Sequence, residues 1–535
     1  MSLPRTHRPL AMGQTAAVVS NHPAATQAGF DILRAGGSAA DAAAAISLAL
    51  GVAEPFMSGL GGDGFYHFYD AATGESTIFN GTGAAPLEIP EGTYAEGIPD
   101  LGPLAVSTPG ALGGVAALQA AHGRLDWAAV VQPAIALARD GLPISHTYRR
   151  FTDQFMGSLT GNAYASASYL DGGALPALGH LLKQPQLAAT LEEIATDGAE
   201  TFYRGALAKR FVAAMAEAGV LVTEADMAAF RPQAQAPITA TYRGYEIRQT
   251  PTNSMGFALL QQMKILEHFD LSDYGPRSPE LIHLMVEAKK QAFLDREIYS
   301  GDPDFVDFDP EILSEAYTAE IAKRIRRDAA QEVPIPLPQG SGNTTYFAVV
   351  DDAGNAVSCI QSLYAPYGSG IVAGDTGILL NNRMTGWHLE EGHANRLVPG
   401  RRVRHTMNAP MMFRNGKPWA VLGTPGADDQ VQVNMQVMVA LVDFGLDPQS
   451  AVEAPRWSSS QPRQTSKYPH VAGSSLKLEE DFGPAVIEAL GALGHPMTTC
   501  PPLEGPCSVG CIRVLENGLR MAGADPRRDG YALAY

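Results

Sequence analysis

Cysteine is scarce: Cys359, Cys500, Cys507 and Cys511 are the four in 535 residues. That is too few for a disulfide framework at this length. The 500/507/511 spacing is not a zinc pattern, and no histidine cluster completes it. Cys507 and Cys511 read instead as small apolar residues on one face of a strand near 508–514. Positive charge is also short, with 38 Lys and Arg against 56 Asp and Glu and a net charge of −18. A nucleic-acid binder needs a basic face, so that partner class is excluded. Long apolar runs are missing too. The most apolar stretch, 39–52, is interrupted by Asp41 and Ser47 and is too short to span a bilayer. Residues 1–19 hold no continuous apolar core of signal-peptide length. No membrane association is expected, and the cytoplasm is the expected compartment. Fixed-period repeats and low-complexity tracts are absent.

What is present is a globular composition, 45% hydrophobic and 18% charged, with length for two domains or one large layered body. Ser38 is placed to cap an alanine-rich helix that ends before Glu54-Pro55. Gly59-Leu60-Gly61-Gly62-Asp63-Gly64 fits the letters of a dinucleotide fingerprint. It follows a helix and feeds a strand-like run at 65–69, the reverse of the required order, so it reads as a tight backbone turn. Apolar spacing is helical over 123–142, 184–219 and 279–298. After a Pro/Gly-rich segment, 334–342, the pattern changes to strands at 345–351 and 356–362. Further strands are expected at 411–413, 419–422 and 508–514, and helices at 430–444 and 484–492. Helices first and strands later point to two stacked sheets between helical layers, an α+β fold.

The most informative stretch is Gly342-Asn343-Thr344-Thr345-Tyr346-Phe347-Ala348-Val349-Val350-Asp351. A hydroxyl residue heads an alternating strand directly behind the loose segment. Such a chain is suited to cutting itself before Thr344 and using the new terminus as nucleophile and base. Threonine is a weak nucleophile, and an α-amine of pKa about 8 is a suitable neighbouring base. Pairing of the two is a known variant of triad logic.

Across nearly its whole length the chain resembles the γ-glutamyltransferase family of N-terminal-nucleophile hydrolases. The likeness runs through 33–42, the 57–64 turn, Thr108-Pro109-Gly110, Tyr242-Arg243-Gly244-Tyr245, Asp295-Arg296, Gly301-Asp302-Pro303, the 377–382 stretch and Ala524-Asp525-Pro526-Arg527. The resemblance implies a four-layer αββα sandwich made as one precursor. It would split between Asn343 and Thr344 into a large subunit, 1–343, and a small one, 344–535. Whether two such heterodimers pair is left open. Thr344 would attack the amide carbon, Ser362 would support it, and the backbone amides of Gly426 and Ala427 would form the oxyanion hole. No metal or organic cofactor is expected.

Two departures bear on substrate. Many family members grip a glutamyl carboxylate with an Arg ahead of Ala-Pro, whereas this chain reads Asn80-Gly81-Thr82-Gly83-Ala84-Ala85-Pro86. They grip the α-amine with an acid after Asn-Asn, whereas here Asn381-Asn382 is followed by Arg383-Met384-Thr385-Gly386-Trp387. Tyr364 and the His405-Thr406 pair occupy further substrate-binding positions. Arg383 and His405 are read as new cationic capacity, in a pattern similar to the oxamate-amidohydrolase branch. The expected substrate is a small amide bearing a carboxylate. A γ-glutamyl transferase or glutathione hydrolase with rebuilt anchors is the alternative. So is an acylase for longer acyl groups, with Tyr364, Trp387 and Met407 as an apolar wall. A non-enzymatic relative would have little reason to keep Thr344, Ser362, Gly426 and Ala427 together.

Overall fold

Alternation along the strand Asn343–Val350 decides the architecture. Phe347 and Val349 point into one apolar cluster, shared with the helices Pro23–Arg34 and Ala39–Ala53. Tyr346, Ala348 and Val350 point into another, shared with Met411, Phe413, Val421 and Ile512 of a second sheet. A strand buried on both faces is a central strand of an inner layer. The computed structural model describes residues 6–332, 343–462, 465–470 and 473–535. The segment 334–342, read as a linker, lies outside the described residues.

The first sheet runs, edge to edge, Tyr531–Ala534, Ala17–Ser20, Asn343–Val350, Ala356–Tyr364, Asp63–Tyr69, Ser76–Gly81 and Gln233–Gln235. The second runs Ala11–Gly13, Arg520–Ala524, Gly510–Val514, Lys417–Gly423, Met411–Arg414, Tyr245–Gln249 and Ile238–Tyr242. The helices Phe257–Leu266, Pro279–Tyr299 and Gln430–Val442 cover the outer face of the second sheet. Helix, sheet, sheet, helix is the expected αββα sandwich.

Helix Ala39–Ala53 packs flat on the first sheet because its alanines are short. Ser38 and Asp41 close a reciprocal capping box at its start. The turn at 59–62 is pressed still closer. A Cβ on Gly61 would lie 2.1 Å from the Leu379 carbonyl oxygen, and one on Gly62 would lie 2.5 Å from that of Ser362. Only glycine fits there, which explains the glycine run without a nucleotide.

The structure corrects several expectations. The first part of the chain is mainly helical, but Ser76–Gly81, Gln233–Gln235, Ile238–Tyr242 and Tyr245–Gln249 are strands that the pattern does not reveal. The region 184–219 holds three helices, Pro185–Asp197, Thr201–Arg204 and Ala206–Glu217, because Gly198 and Gly205 break it. Cys507 precedes its strand, which begins at Gly510, although its side chain still packs in the same cluster as Cys511. Both sheets take strands from residues 1–343 and from residues 344–535. Among the described residues no helix is long and apolar enough to cross a membrane.

Candidate active site

Thr344 lies at the head of its strand, where the pairing is irregular. Asn343 opposes Tyr364 and Thr345 opposes Gln361, so Ser362 and Leu363 together face the single residue Thr344. This bulge leaves Thr344 Oγ1 3.3 Å from Ser362 Oγ, to which it donates. Ser362 Oγ in turn accepts the Tyr364 amide at 2.8 Å. From the other sheet's helical layer, Gln430 Nε2 donates to Thr344 Oγ1 at 3.4 Å. Arg528 Nη1 donates to the Thr344 carbonyl at 3.3 Å. Thr344 is buried.

Gln430 opens the helix Gln430–Val442, which follows the short 3₁₀ turn Ala427–Asp429. Gly426 has φ of 125°, and a Cβ there would meet Cys507 Sγ at 2.3 Å. Ala427 is held at φ 51°, in the left-handed region that non-glycine residues rarely enter. These amides therefore lie at the N-terminal end of a helical segment, where N–H groups lack intrahelical partners and the helix dipole favours negative charge. The same end carries the group that bonds Thr344.

Thr345 faces the opposite side of the strand. Its hydroxyl donates to Glu54 Oε2 at 2.6 Å and accepts from Asn21 Nδ2 at 3.4 Å. Burial lifts the Glu54 carboxyl to about 7, against the pull of Arg528 and of the Thr345 hydroxyl.

Arg383 approaches from the loop after Leu380. Asn381 Oδ1 accepts the amides of Ser107 and Arg383, and Asn382 Oδ1 accepts that of Ala365, so the two asparagines fix this loop. The Arg383 guanidinium lies 4.5 Å over the Tyr364 ring. Its Nε is 3.2 Å from Asp63 Oδ2. Asp63 pairs with Ser362 across neighbouring strands, which ties this ion pair to the Thr344 corner. Burial lifts the Asp63 carboxyl to about 6, with Arg383 opposing.

His405 does not supply a charge. Its Nε2 is 4.0 Å from Asp63 Oδ2, but burial first, then Arg383 and Arg402, push its pKa well down, so the imidazole is neutral. Thr406 is buried beside it, its carbonyl accepting from Asn408. Tyr364 is anchored through its hydroxyl to the Ser466 carbonyl. The expected apolar wall is not assembled: Met407 lies in the core between the sheets, and Trp387 packs with Ala85, Met384 and Val403 in a separate cluster.

Asp63, Gln430, Arg528 and Glu54 were not singled out from sequence. Asp63 had one signal, an acid inside a glycine turn. The others are brought in by tertiary pairing across dozens to hundreds of residues. The fold likewise assembles two His/Glu groups that sequence spacing does not reveal, His283/Glu287/His495 and Glu297/His388/His393. Each carboxylate already faces a cation, Lys290 at 2.7 Å from Glu287 and Arg404 at 2.9 Å from Glu297. Neither lies at Thr344.

Comparison with known proteins identifies the family. A sequence model described as gamma-glutamyltranspeptidase matches residues 25–535. The "Glutathione hydrolase-like YwrD proenzyme" of Bacillus subtilis is 36% identical over 98% of this chain and 99% of its own. The "Oxamate amidohydrolase proenzyme" of Klebsiella pneumoniae is 33% identical over 97% of this chain and 98% of its own. The crystal structure of a cephalosporin acylase from Bacillus halodurans superposes with a TM-score of 0.90 at 32% identity, covering 100% of this chain and 98% of that one. The chain is therefore an enzyme of the gamma-glutamyltranspeptidase family.

Proposed function

We propose that the protein is a self-processing N-terminal-threonine amidase acting on a small amide that carries a carboxylate. The observation that carries this reading is the Thr344 corner. A threonine hydroxyl heads an inner strand, 3.3 Å from Ser362 Oγ, and is bonded by the first residue of the helix that follows Gly426 and Ala427. The relatives' names, an amidohydrolase and an acylase among them, support amide chemistry in general.

Processing begins with attack of Thr344 Oγ1 on the Asn343 carbonyl carbon. The peptide nitrogen leaves as the new α-amine, and water opens the resulting ester. The large and small subunits stay paired. In turnover, the freed amine takes the proton from the Thr344 hydroxyl as that oxygen attacks the substrate amide. Backbone donors at Gly426 and Ala427 receive the developing oxyanion, a contact of about 2.7–4 kcal/mol in transition-state stabilisation. The amine then protonates the leaving nitrogen, and the acyl-threonine passes to water or to another amine. Arg383 is the carboxylate partner, because a guanidinium presents a planar fork. Ser362 holds the hydroxyl in line, and Tyr364, His405 and Thr406 line the acyl subsite. The cytoplasm is the compartment we assign, and no metal or organic cofactor enters the reaction.

A second reading has its own observation. Asp63 stands next to Arg383 and offers in space the acid absent after Asn381-Asn382. It could take the α-ammonium of a γ-glutamyl group. Comparison of γ-glutamyl-p-nitroanilide with glutaryl-p-nitroanilide, which lacks only that amine, separates the two. Preference for the glutaryl compound supports the first reading, and strong preference for the glutamyl compound supports the second.

The central test is Thr344→Ala. On a denaturing gel it should remain one full-length chain and turn over no amide. Splitting of that variant at the 343/344 bond would remove Thr344 from the mechanism. Activity of the mature enzyme should rise with pH through one basic limb at or below about 8, since burial disfavours a charged amine.

A further inference from the structure

Arg383 Nη2 and both ring nitrogens of His405 are buried without a hydrogen-bond partner among the described residues, beside Asp63 Oδ2 and Arg383 Nε, which face each other at 3.2 Å. A buried polar group left unpartnered costs about 1–3 kcal/mol. Such groups are rare enough in folded proteins that a concentration of them marks a place where a ligand completes the bonding. The other Asp63 oxygen is engaged, since Oδ1 accepts the Gly83 amide at 2.9 Å.

The charges are arranged around one guanidinium. Asp63 Oδ2 stands 3.2 Å from its Nε edge, and His405 Nε2 stands 4.0 Å from the same oxygen. The Tyr364 ring lies against the guanidinium at 4.5 Å. Arginine with one carboxylate is a neutral pair. A substrate carboxylate placed at Nη2 would put two anions on one cation in a site closed to water. Dry, uncompensated charge is strongly disfavoured. One proton from solvent, taken by Asp63 Oδ2, restores neutrality.

We propose that Asp63 is the positioning residue of the acyl subsite, holding the Arg383 guanidinium by its Nε edge, leaving Nη2 for the substrate, and coupling carboxylate binding to uptake of one proton. This rests on the reading of Arg383 as the carboxylate partner. The groups facing the pair are Arg402, whose charge is matched by Asp302 and Asp304 at 4.0 and 3.9 Å, and Tyr66, Tyr203 and Tyr364, whose hydroxyls burial keeps protonated. The Asp63 carboxyl, lifted to about 6, is the group poised to change state near neutrality. Substrate binding is then favoured below that value and weakens as pH rises through it.

The experiment uses two substrates that differ only in charge, glutaryl-p-nitroanilide and its terminal carboxamide analogue, with kcat and KM measured from pH 5.5 to 8.5. The KM of the carboxylate substrate should climb by up to about tenfold per pH unit above pH 6, the slope of one linked proton. The KM of the carboxamide should stay flat, and kcat for both should follow one profile set by the nucleophile. Asp63→Asn should abolish the climb and Asp63→Glu should restore it. Where Asp63→Asn fails to fold, the wild-type substrate pair decides alone. A pH-independent ratio of the two KM values, or an Asp63→Asn enzyme with the wild-type slope, overturns the proposal. Failure of wild-type enzyme to turn over either anilide instead sinks the carboxylate-amide reading, and the inference with it.

Discussion

Arg383 is 1% exposed and Asp63 fully buried, so each charge depends on the other for solvation. Arg383→Ala should lower kcat/KM on carboxylate-bearing amides by about ten- to a hundredfold, from loss of one charge-assisted contact of about 1.5–3 kcal/mol. Self-cleavage should be largely unaffected, because the bond cut there carries no such carboxylate. Arg383→Lys should also weaken binding, since an ammonium cannot reproduce the planar fork. Removing one partner of a buried pair strands the other charge. The double variant Arg383→Ala/Asp63→Asn should therefore melt at a higher temperature than Arg383→Ala alone. A lower midpoint for the double variant would show that Asp63 does not depend on Arg383. Glu54 gives a prediction of opposite character. Its carboxyl binds a proton more tightly in the folded chain than in the unfolded one. It therefore contributes stability that is lost as pH rises from its unfolded value, about 4.3, through about 7. Glu54→Gln keeps a neutral side chain throughout. Its melting temperature relative to wild type should thus become steadily more favourable across that window, and a constant difference would refute the assignment.

At the scale of elements, the active corner is made by an irregularity in pairing and by close backbone approach. The bulge sets Ser362 beside Thr344, and the glycine turn presses on the Ser362 carbonyl from the other side. Gly62→Ala would put a methyl 2.5 Å from that oxygen, so the strand or the turn must move. Destabilisation of about 1–3 kcal/mol is expected from such overpacking. Slowed self-cleavage should accompany it, and a variant that processes and melts like wild type would show that the contact is slack. Elements with strong local signals were legible in sequence: the helix Pro484–Ala492 and the alternating strands on either side of Gly354 stand where the pattern puts them. The hairpin Ile238–Tyr242 to Tyr245–Gln249 was not, although its turn was in view. Arg243 at φ 49° and Gly244 at φ 80° form the mirror-image two-residue turn that hairpins favour. Its strands are half-exposed and short, which leaves little hydrophobic pattern to read. The site divides similarly. Thr344, Ser362, Gly426 and Ala427 sit in local motifs, whereas the Asp63–Arg383 pair and the neutral state of His405 depend on burial that only the tertiary fold creates.

At the scale of the molecule, the cut would fall inside a shared structure. In the first sheet, the strand beginning at Asn343 lies between Ala17–Ser20 from the early chain and Ala356–Tyr364 from the late chain. In the second, Met411–Arg414 pairs with Tyr245–Gln249, and Arg520–Ala524 pairs with Ala11–Gly13. Each part therefore completes hydrogen-bond ladders and apolar clusters that the other cannot close alone. Breaking the peptide bond before Thr344 removes one covalent link and none of these contacts. The two pieces should co-elute on size exclusion at neutral pH and separate only in denaturant. Their unfolding should be a single cooperative transition, because both sheets and the cluster packed between them take residues from each part. Thr344→Ala, left uncut, should melt within a few degrees of the processed protein at the same concentration. Its advantage is confined to the chain entropy of one connection. Two well-separated transitions, or spontaneous release of the 344–535 piece on dilution, would mean that the interleaved sheets are not what holds the parts together.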